Sequence, residues 1–326
     1  FNFPLNLVAH KVAPALACGA SIVLKPAPQT PLVALELGEL VRDSGFPEHA
    51  LQVLPCDVTI AEALVRDDRL ATLSFTGSAA VGWHLKSIAG KKRVLLELGG
   101  NAAAIVHEDA DLEFAASRIV SASFGYAGQV CIKVQRLYVH EPIADRFIER
   151  VVAAAKGLAP RAPTEEGILS CVIDEKSAVR ITSWVDEAKQ GGAHALVDSR
   201  RDGNRLGPIV LALHTSGAGL RVVDEEVFGP VLTVHGYARF EDALAMADST
   251  RYGLQAGLFT DSRARVEQAF ERLHVGGLVV GDTPAFRVDS MPYGGTRDSG
   301  IGREGVRFAI EEMTEHKLLV TRRASR

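Results

Sequence analysis

Apolar positions along the chain recur at two spacings. Residues 5–19, LNLVAHKVAPALACG, place them at helical intervals and stop at Gly19, which predicts a helix. SIVLKP follows as a short apolar strand closed by Pro26. TPLVALELGELVRDSG reads as a second helix, with Thr30 at its N-cap, Pro31 at its first position and Gly45 at its end. ALQVLP, LATLSF and RVLLELGG repeat the strand pattern, while TIAEALVRD and TGSAAVGWHLKSIAG give helices between them. Strands alternating with helices at close spacing predict βαβ units and a parallel sheet. Such a sheet binds its ligand beyond the carboxyl ends of its strands, so KP, LPC, FTGS and ELGG are expected to line one rim.

A second α/β block follows. AAAIV is a strand, DLEFAASRIVSASFGYAG carries a helix, and QRLYVHEPI leads into helices over residues 144–158 and 174–191. RVVDEEVFGPVLTVHGY and YGLQAGLFT read as strand-bearing loops, separated from GLVVGD by the helix SRARVEQAFERLHVG. The final EHKLLVTRRASR reads as a strand with a frayed basic end. The expected division is a first α/β block over 1–99, a second over 100–300, and a C-terminal helix and pairing strand over 301–326.

Composition narrows the function. A chain of 326 residues, 47% apolar, buries a large core. Its 36 basic and 40 acidic residues leave a net charge of −4, which offers no basic field for nucleic acid and no polybasic membrane patch. No apolar run approaches the roughly 20 residues that span a bilayer. Cys18, Cys56, Cys131 and Cys171 are widely spaced and form neither a zinc knuckle nor a disulfide framework, so free thiols in the cytoplasm are expected.

Several residues carry chemistry. Gly77 and Ser78 stand between a strand and a helix, where free N–H groups and a partial positive charge suit a pyrophosphate; an ordinary capped helix has the same wording. Lys25, at a strand's carboxyl end, is placed for a ribose or a phosphate, or for solvent. Glu97 in LLELGG is expected to be partly desolvated, which raises a carboxyl pKa toward that of a usable base; a structural ion pair is the alternative. The two glycines after it allow a backbone or ligand to come close. Cys131, behind Gly128 and Gln129, is either a nucleophile in an open loop or a small buried hydrophobe. Asn2 offers an amide donor for an oxyanion, or is an ordinary turn asparagine, and Glu226 in DEEVFGP is an acceptor for sugar hydroxyls or a surface charge.

Taken in order, FNFPLN, VLKPAPQTP, FTGS, LELGG, GQVC, EEVFGP and MPYGGTRDSGIGREG resemble the NAD(P)-dependent aldehyde dehydrogenase superfamily, from the first residue to about Lys317. The resemblance implies that 1–99 is a partial Rossmann-type, dinucleotide-binding cofactor domain, that 100–300 is an α/β catalytic domain, and that the C-terminal part carries an oligomerisation strand. It implies that Cys131 attacks an aldehyde to form a thiohemiacetal, with Asn2 and the Cys131 N–H holding the oxyanion. Hydride then passes to NAD or NADP, and Glu97 activates the water that hydrolyses the thioester. The cofactor positions it implies are Lys25, Pro28, Phe75, Thr76, Gly77, Ser78, Glu97, Leu98, Gly99, Glu226 and Phe228. Pro28 stands where many NAD-preferring members carry a glutamate, which leaves the choice of cofactor open, and Gly281 replaces a usual asparagine. Lys133 and Arg287, with Arg136 nearby, are candidates to meet an anionic substrate of the lactaldehyde, phosphonoacetaldehyde or succinate-semialdehyde type. The resemblance further implies a homo-oligomer, dimer or tetramer. Family members carry a segment before FNFP, so the chain is expected to be a fragment or a truncated relative with poor activity alone. A coenzyme A-acylating dehydrogenase and a silent fragment that binds a full-length partner are the competing readings; the first needs no Glu97.

Overall fold

The computed structural model describes residues 1–162, 164–213 and 217–322. A seven-stranded sheet forms the larger block. Its strands lie in the order Gly277–Val280, Gln255–Phe259, Ala103–Val106, Arg136–His140, Val231–Tyr237, Ile209–Leu213 and His194–Asp198. All neighbours are parallel except the last pair, which is antiparallel.

The two-residue alternation of a strand sorts its side chains between two cores. Ala104, Val106, Leu137 and Val139 face one side, where Ile119, Phe147, Val151 and Ala155 cover them. The last three sit four residues apart on helix Ala144–Lys156 and so share one stripe. Ala103, Ile105 and Tyr138 face the other side, under Phe240, Leu244 and Ala247 of helix Phe240–Asp248. Each large side chain so enclosed contributes about 1.5–3 kcal/mol of transfer free energy.

The first hundred residues form the helix and strand sequence read from the chain, but not one continuous sheet. Ile22–Leu24 pairs in parallel with Leu51–Val53. Separately, Thr72–Thr76 pairs in parallel with Arg93–Glu97, and the late strand Gly300–Ile301 joins the other edge of Arg93–Glu97 in the antiparallel sense. Helix Val306–Met313 returns to lie against helix Asn6–Ala17. Residues from both ends of the chain thus hold the strand that carries Glu97.

The HKLLVT segment does not form the expected strand. Residues 314–322 lie in no regular element, and Leu318, Leu319 and Val320 are exposed. A strand persists only where its backbone groups find partners, and among the described residues none pairs with this segment.

Candidate active site

A cavity of about 1120 Å³ opens between the two blocks. Lys25, Pro26, Phe75, Thr76, Gly77, Ser78, Glu97, Leu98 and Gly99 all line it. The expected rim therefore forms, with one correction: LPC at 54–56 is not part of the lining. The two-stranded piece that precedes it is not bonded to the strands bearing FTGS and ELGG, so its carboxyl end follows a separate course.

The opposite wall is the loop that carries Cys131. Helix Leu112–Phe124 ends at Gly125, and Tyr126 and Ala127 follow with φ of 58° and 57°. Two successive left-handed non-glycine residues are strained, and the surroundings must impose them. Tyr126 stacks on Phe3 at 4.5 Å. Gly128 is required because a Cβ there would lie 2.2 Å from the Gly229 carbonyl oxygen. The side chain of Gln129 accepts from the Ile173 N–H at 2.8 Å, and its carbonyl accepts from Asn2 Nδ2 at 2.8 Å. The loop is thus locked before it reaches Cys131, and Asn2 is fixed beside it.

Cys131 is half-buried, and its Sγ lies 3.1 Å from the Tyr293 hydroxyl. Burial pushes the thiol up to about 12; the Tyr293 hydrogen bond opposes this, while the Glu226 and Glu97 charges add to it. The loop is less open than its sequence suggests. Gly100 makes the close approach that the glycine pair permits: a Cβ on it would meet the Cys131 carbonyl oxygen at 2.2 Å. Gly99 does the same for the Glu226 carboxylate, which also accepts from the Gly100 N–H at 3.0 Å. Burial raises Glu226 to about 7.

Glu97 ends its strand in the cavity and is 7% exposed. Burial raises its pKa well above the usual carboxylate range, and the Glu304 charge adds to the shift. Glu304 is itself buried, yet His10, Lys11 and Arg287 outweigh that burial and hold it ionised at low pH. Lys11 Nζ lies 3.3 Å from Glu304, and Arg287 lies 3.1 Å from it. Arg287 also stacks on the Tyr293 ring at 3.7 Å, and its Nε, though buried, has no hydrogen-bond partner.

The other wall suits a dinucleotide. Ser78 is the N-cap of helix Ala79–Ile88, and its hydroxyl makes no capping bond, so the first N–H groups face the cavity without a side-chain acceptor. Thr76 Oγ1 is buried without a partner in the same wall. An oxygen-rich, anionic group fits both.

A sequence model described as "Aldehyde dehydrogenase family" matches residues 1–319. The chain belongs to the aldehyde dehydrogenase family. A 3-sulfolactaldehyde dehydrogenase of Priestia aryabhattai is 44% identical over 322 residues, which cover 98% of this chain and 67% of that protein. The crystal structure of aldehyde dehydrogenase 21 from Physcomitrella patens, in complex with succinate, superposes with a TM-score of 0.95 at 45% identity, covering 98% of this chain and 67% of that one. The glyceraldehyde-3-phosphate dehydrogenase GapN from Methanocaldococcus jannaschii, complexed with NADP, gives 0.92 at 37% identity, covering 96% and 69%. The chain is therefore an oxidoreductase that acts on aldehydes with NAD or NADP.

In this aldehyde dehydrogenase Asn2, Glu97 and Cys131 converge on one cavity, as do Lys25, Pro28, Glu226 and Phe228. Lys25 turns its Nζ to the Pro26 carbonyl at 2.6 Å. Lys133 needs correction as a substrate contact. It is 3% exposed, lies outside the cavity lining, and donates to the Val231 carbonyl at 2.6 Å. Gln135 likewise reaches Val222, Glu225 and Val227, and Arg136 donates to Asn101 and Ala247. Lys133 and Gln135 thus tie down the segment around Glu226, Arg136 ties its strand to Asn101 and Ala247, and of the IKVQR run only Ile132 lines the cavity. Gly281 has φ +75°, a conformation that glycine and asparagine share, and lies outside the cavity lining.

Sequence reasoning assigned no role to His10, Lys11, Tyr293 or Glu304. Tyr293 and Glu304 lie in the MPYGGTRDSGIGREG stretch, whose wording marks the family without telling which side chains turn inward. Away from this cavity, His107, Glu108 and His140 hold donor atoms within 4.8 Å of one another. Their imidazoles stack at 4.2 Å with planes 22° apart, so the ring lone pairs run side by side instead of converging as a tetrahedral ion requires.

Proposed function

We propose that the chain oxidises a short anionic aldehyde to its carboxylate through a Cys131 thioester. Glu97 takes the thiol proton, and the thiolate adds to the carbonyl carbon. The carbonyl oxygen becomes an oxyanion facing the Asn2 amide and the Cys131 N–H, donors that need not reorganise as the charge appears. NAD or NADP, when bound, accepts the hydride that this carbon releases. Lys25, Pro28, Phe75, Thr76, Gly77, Ser78, Leu98, Gly99, Glu226 and Phe228, which line the cavity, would hold that group. Glu97 gives the thiol proton up to solvent and then draws one from water, whose oxygen attacks the thioester carbon and expels the Cys131 sulfur as thiolate. A soft nucleophile, an amide donor and a desolvated carboxylate on one cavity is the observation that carries this reading.

The anionic class rests on Arg287, whose buried Nε is left over after Glu304 and His10 have taken other guanidinium hydrogens. A carboxylate or sulfonate two or three carbons from the aldehyde suits that donor. The named substrate of the Priestia relative and the succinate in the Physcomitrella structure are of this class. We further read 1–99, 100–300 and 301–326 as cofactor, catalytic and C-terminal parts, and infer that HKLLVT becomes a strand by pairing with a second copy in a homo-oligomer.

The test is reduced-cofactor formation with short aldehydes that do and do not carry an anionic group. Cys131→Ala is expected to abolish it, and Arg287→Gln to raise KM for anionic aldehydes about tenfold or more while sparing neutral ones. Turnover by Cys131→Ala, or equal efficiency on charged and neutral aldehydes, would overturn the corresponding part.

A further inference from the structure

We propose that Tyr293 is a positioning residue for the nucleophile, its phenolic O–H donating to the Cys131 sulfur and holding the thiolate in the attacking site. This deepens the reading above and rests on Cys131 being the reactive thiol. The two atoms lie 3.1 Å apart, and Tyr293 is 3% exposed, so water does not compete freely for the contact. Ile132, Leu254 and Val130 pack around the pair. Among the described residues no lysine or arginine bonds to the sulfur; the Arg287 charge favours its anion from a distance, and the two carboxylates Glu97 and Glu226 disfavour it more strongly. A neutral donor is then the one group in contact that prefers thiolate to thiol. The Arg287 guanidinium, 3.7 Å over the ring, draws electron density from the phenol and makes its hydrogen the more readily donated.

The chemistry keeps every proton placed. The thiol hydrogen leaves to the Glu97 carboxylate, while Tyr293 keeps its own hydrogen throughout and shares it with the sulfur lone pair. When another sulfur lone pair forms the bond to carbon, the negative charge passes to the carbonyl oxygen, and the phenol contact, now to a neutral sulfur, weakens. When the thioester breaks, the contact reforms on the leaving sulfur. Phenylalanine at 293 would fill the same space and supply none of this.

The experiment needs no aldehyde and no cofactor. The purified chain is alkylated with iodoacetamide at pH 8, and peptide mass spectrometry follows each cysteine, with Cys18, Cys56 and Cys171 as internal references. Loss of one hydrogen bond to an anion raises a thiol pKa by about one to two units. Higher intrinsic nucleophilicity offsets part of that, so Tyr293→Phe is expected to slow Cys131 about three- to tenfold and leave the other three unchanged. 3-Fluorotyrosine at 293, which keeps the O–H, is expected to stay within about twofold of the parent. An unchanged or faster rate at Cys131 in a folded Tyr293→Phe chain overturns the proposal, as does an equal fall in both variants. Failure of the dehydrogenase reading would appear elsewhere, as a selective alkylation effect in a chain that oxidises no aldehyde.

Discussion

The sharpest single perturbation is one methyl group at Gly100. Its φ is not positive, so alanine meets no backbone penalty there, and the whole effect comes from contact. The added Cβ would lie 2.2 Å from the Cys131 carbonyl oxygen, whereas real Cβ contacts stay beyond 3.0 Å. One of the two backbones must therefore move by about 0.8 Å, and Leu254 Cβ at 3.4 Å closes one direction of escape. That carbonyl shares its α-carbon with the Cys131 N–H and side chain, so a shift there displaces both. A displacement near 1 Å at reacting atoms costs about 10²-fold in rate, and overpacking of this kind costs about 1–3 kcal/mol in stability. Gly125→Ala is the control, with φ −54° and nothing within 4 Å of its added Cβ. Steady-state kcat/KM with a short anionic aldehyde, together with thermal melting, reads both effects. We expect Gly100→Ala to fall about 10²-fold and Gly125→Ala to match the parent. A folded Gly100→Ala protein within about threefold of parent kcat/KM would show that the thiol's placement does not depend on this contact.

Glu97→Gln, which removes the base from both proton transfers, is expected to lower kcat and kcat/KM about 10²–10⁴-fold with no burst of reduced cofactor; a full burst followed by a slow phase would confine Glu97 to hydrolysis, and parent-like turnover contradicts the assignment. Because burial raises Glu97 above 4.5, the parent's hydrolysis limb should rise with pH toward neutrality, and that limb should vanish in the glutamine variant. Asn2→Ala is expected to lower kcat about 10²–10³-fold with little change in melting temperature, and a normal kcat would remove the amide from the oxyanion site. Glu226 binds its proton more tightly when folded, at about 7 against 4.5, so the native state loses relative stability as pH rises through that window. Glu226→Gln should abolish this loss, up to about 3 kcal/mol by urea denaturation at pH 5 and pH 8; identical pH dependence in the two chains would contradict the buried carboxyl.

Much of this site was legible because backbone chemistry constrains it. Strand ends followed by glycine or a helix cap, as at Thr76–Gly77–Ser78 and Glu97–Leu98–Gly99, can be read locally, and both fell on the cavity. Periodicity likewise placed the helices over 144–158 and 174–191 within two residues of Ala144–Lys156 and Glu175–Gln190. What escaped was long-range direction. Lys133 and Arg287 are both cations near family motifs, yet the first turns under the sheet to Val231 and the second into the cavity. The Glu304 cluster joins residues almost 300 positions apart, and no local pattern encodes that meeting. HKLLVT failed for a related reason: propensity favours an extended chain, but a partner edge decides whether it becomes a strand.

The pairing of Gly300 with Glu97, reinforced by the bond from the Leu98 N–H to the Ser299 carbonyl at 3.0 Å, has a bearing on biosynthesis. Glu97, the proposed general base, cannot gain this pairing until a stretch some two hundred residues downstream has left the ribosome. A nascent chain thus carries Cys131 well before it carries the strand that pairs with Glu97.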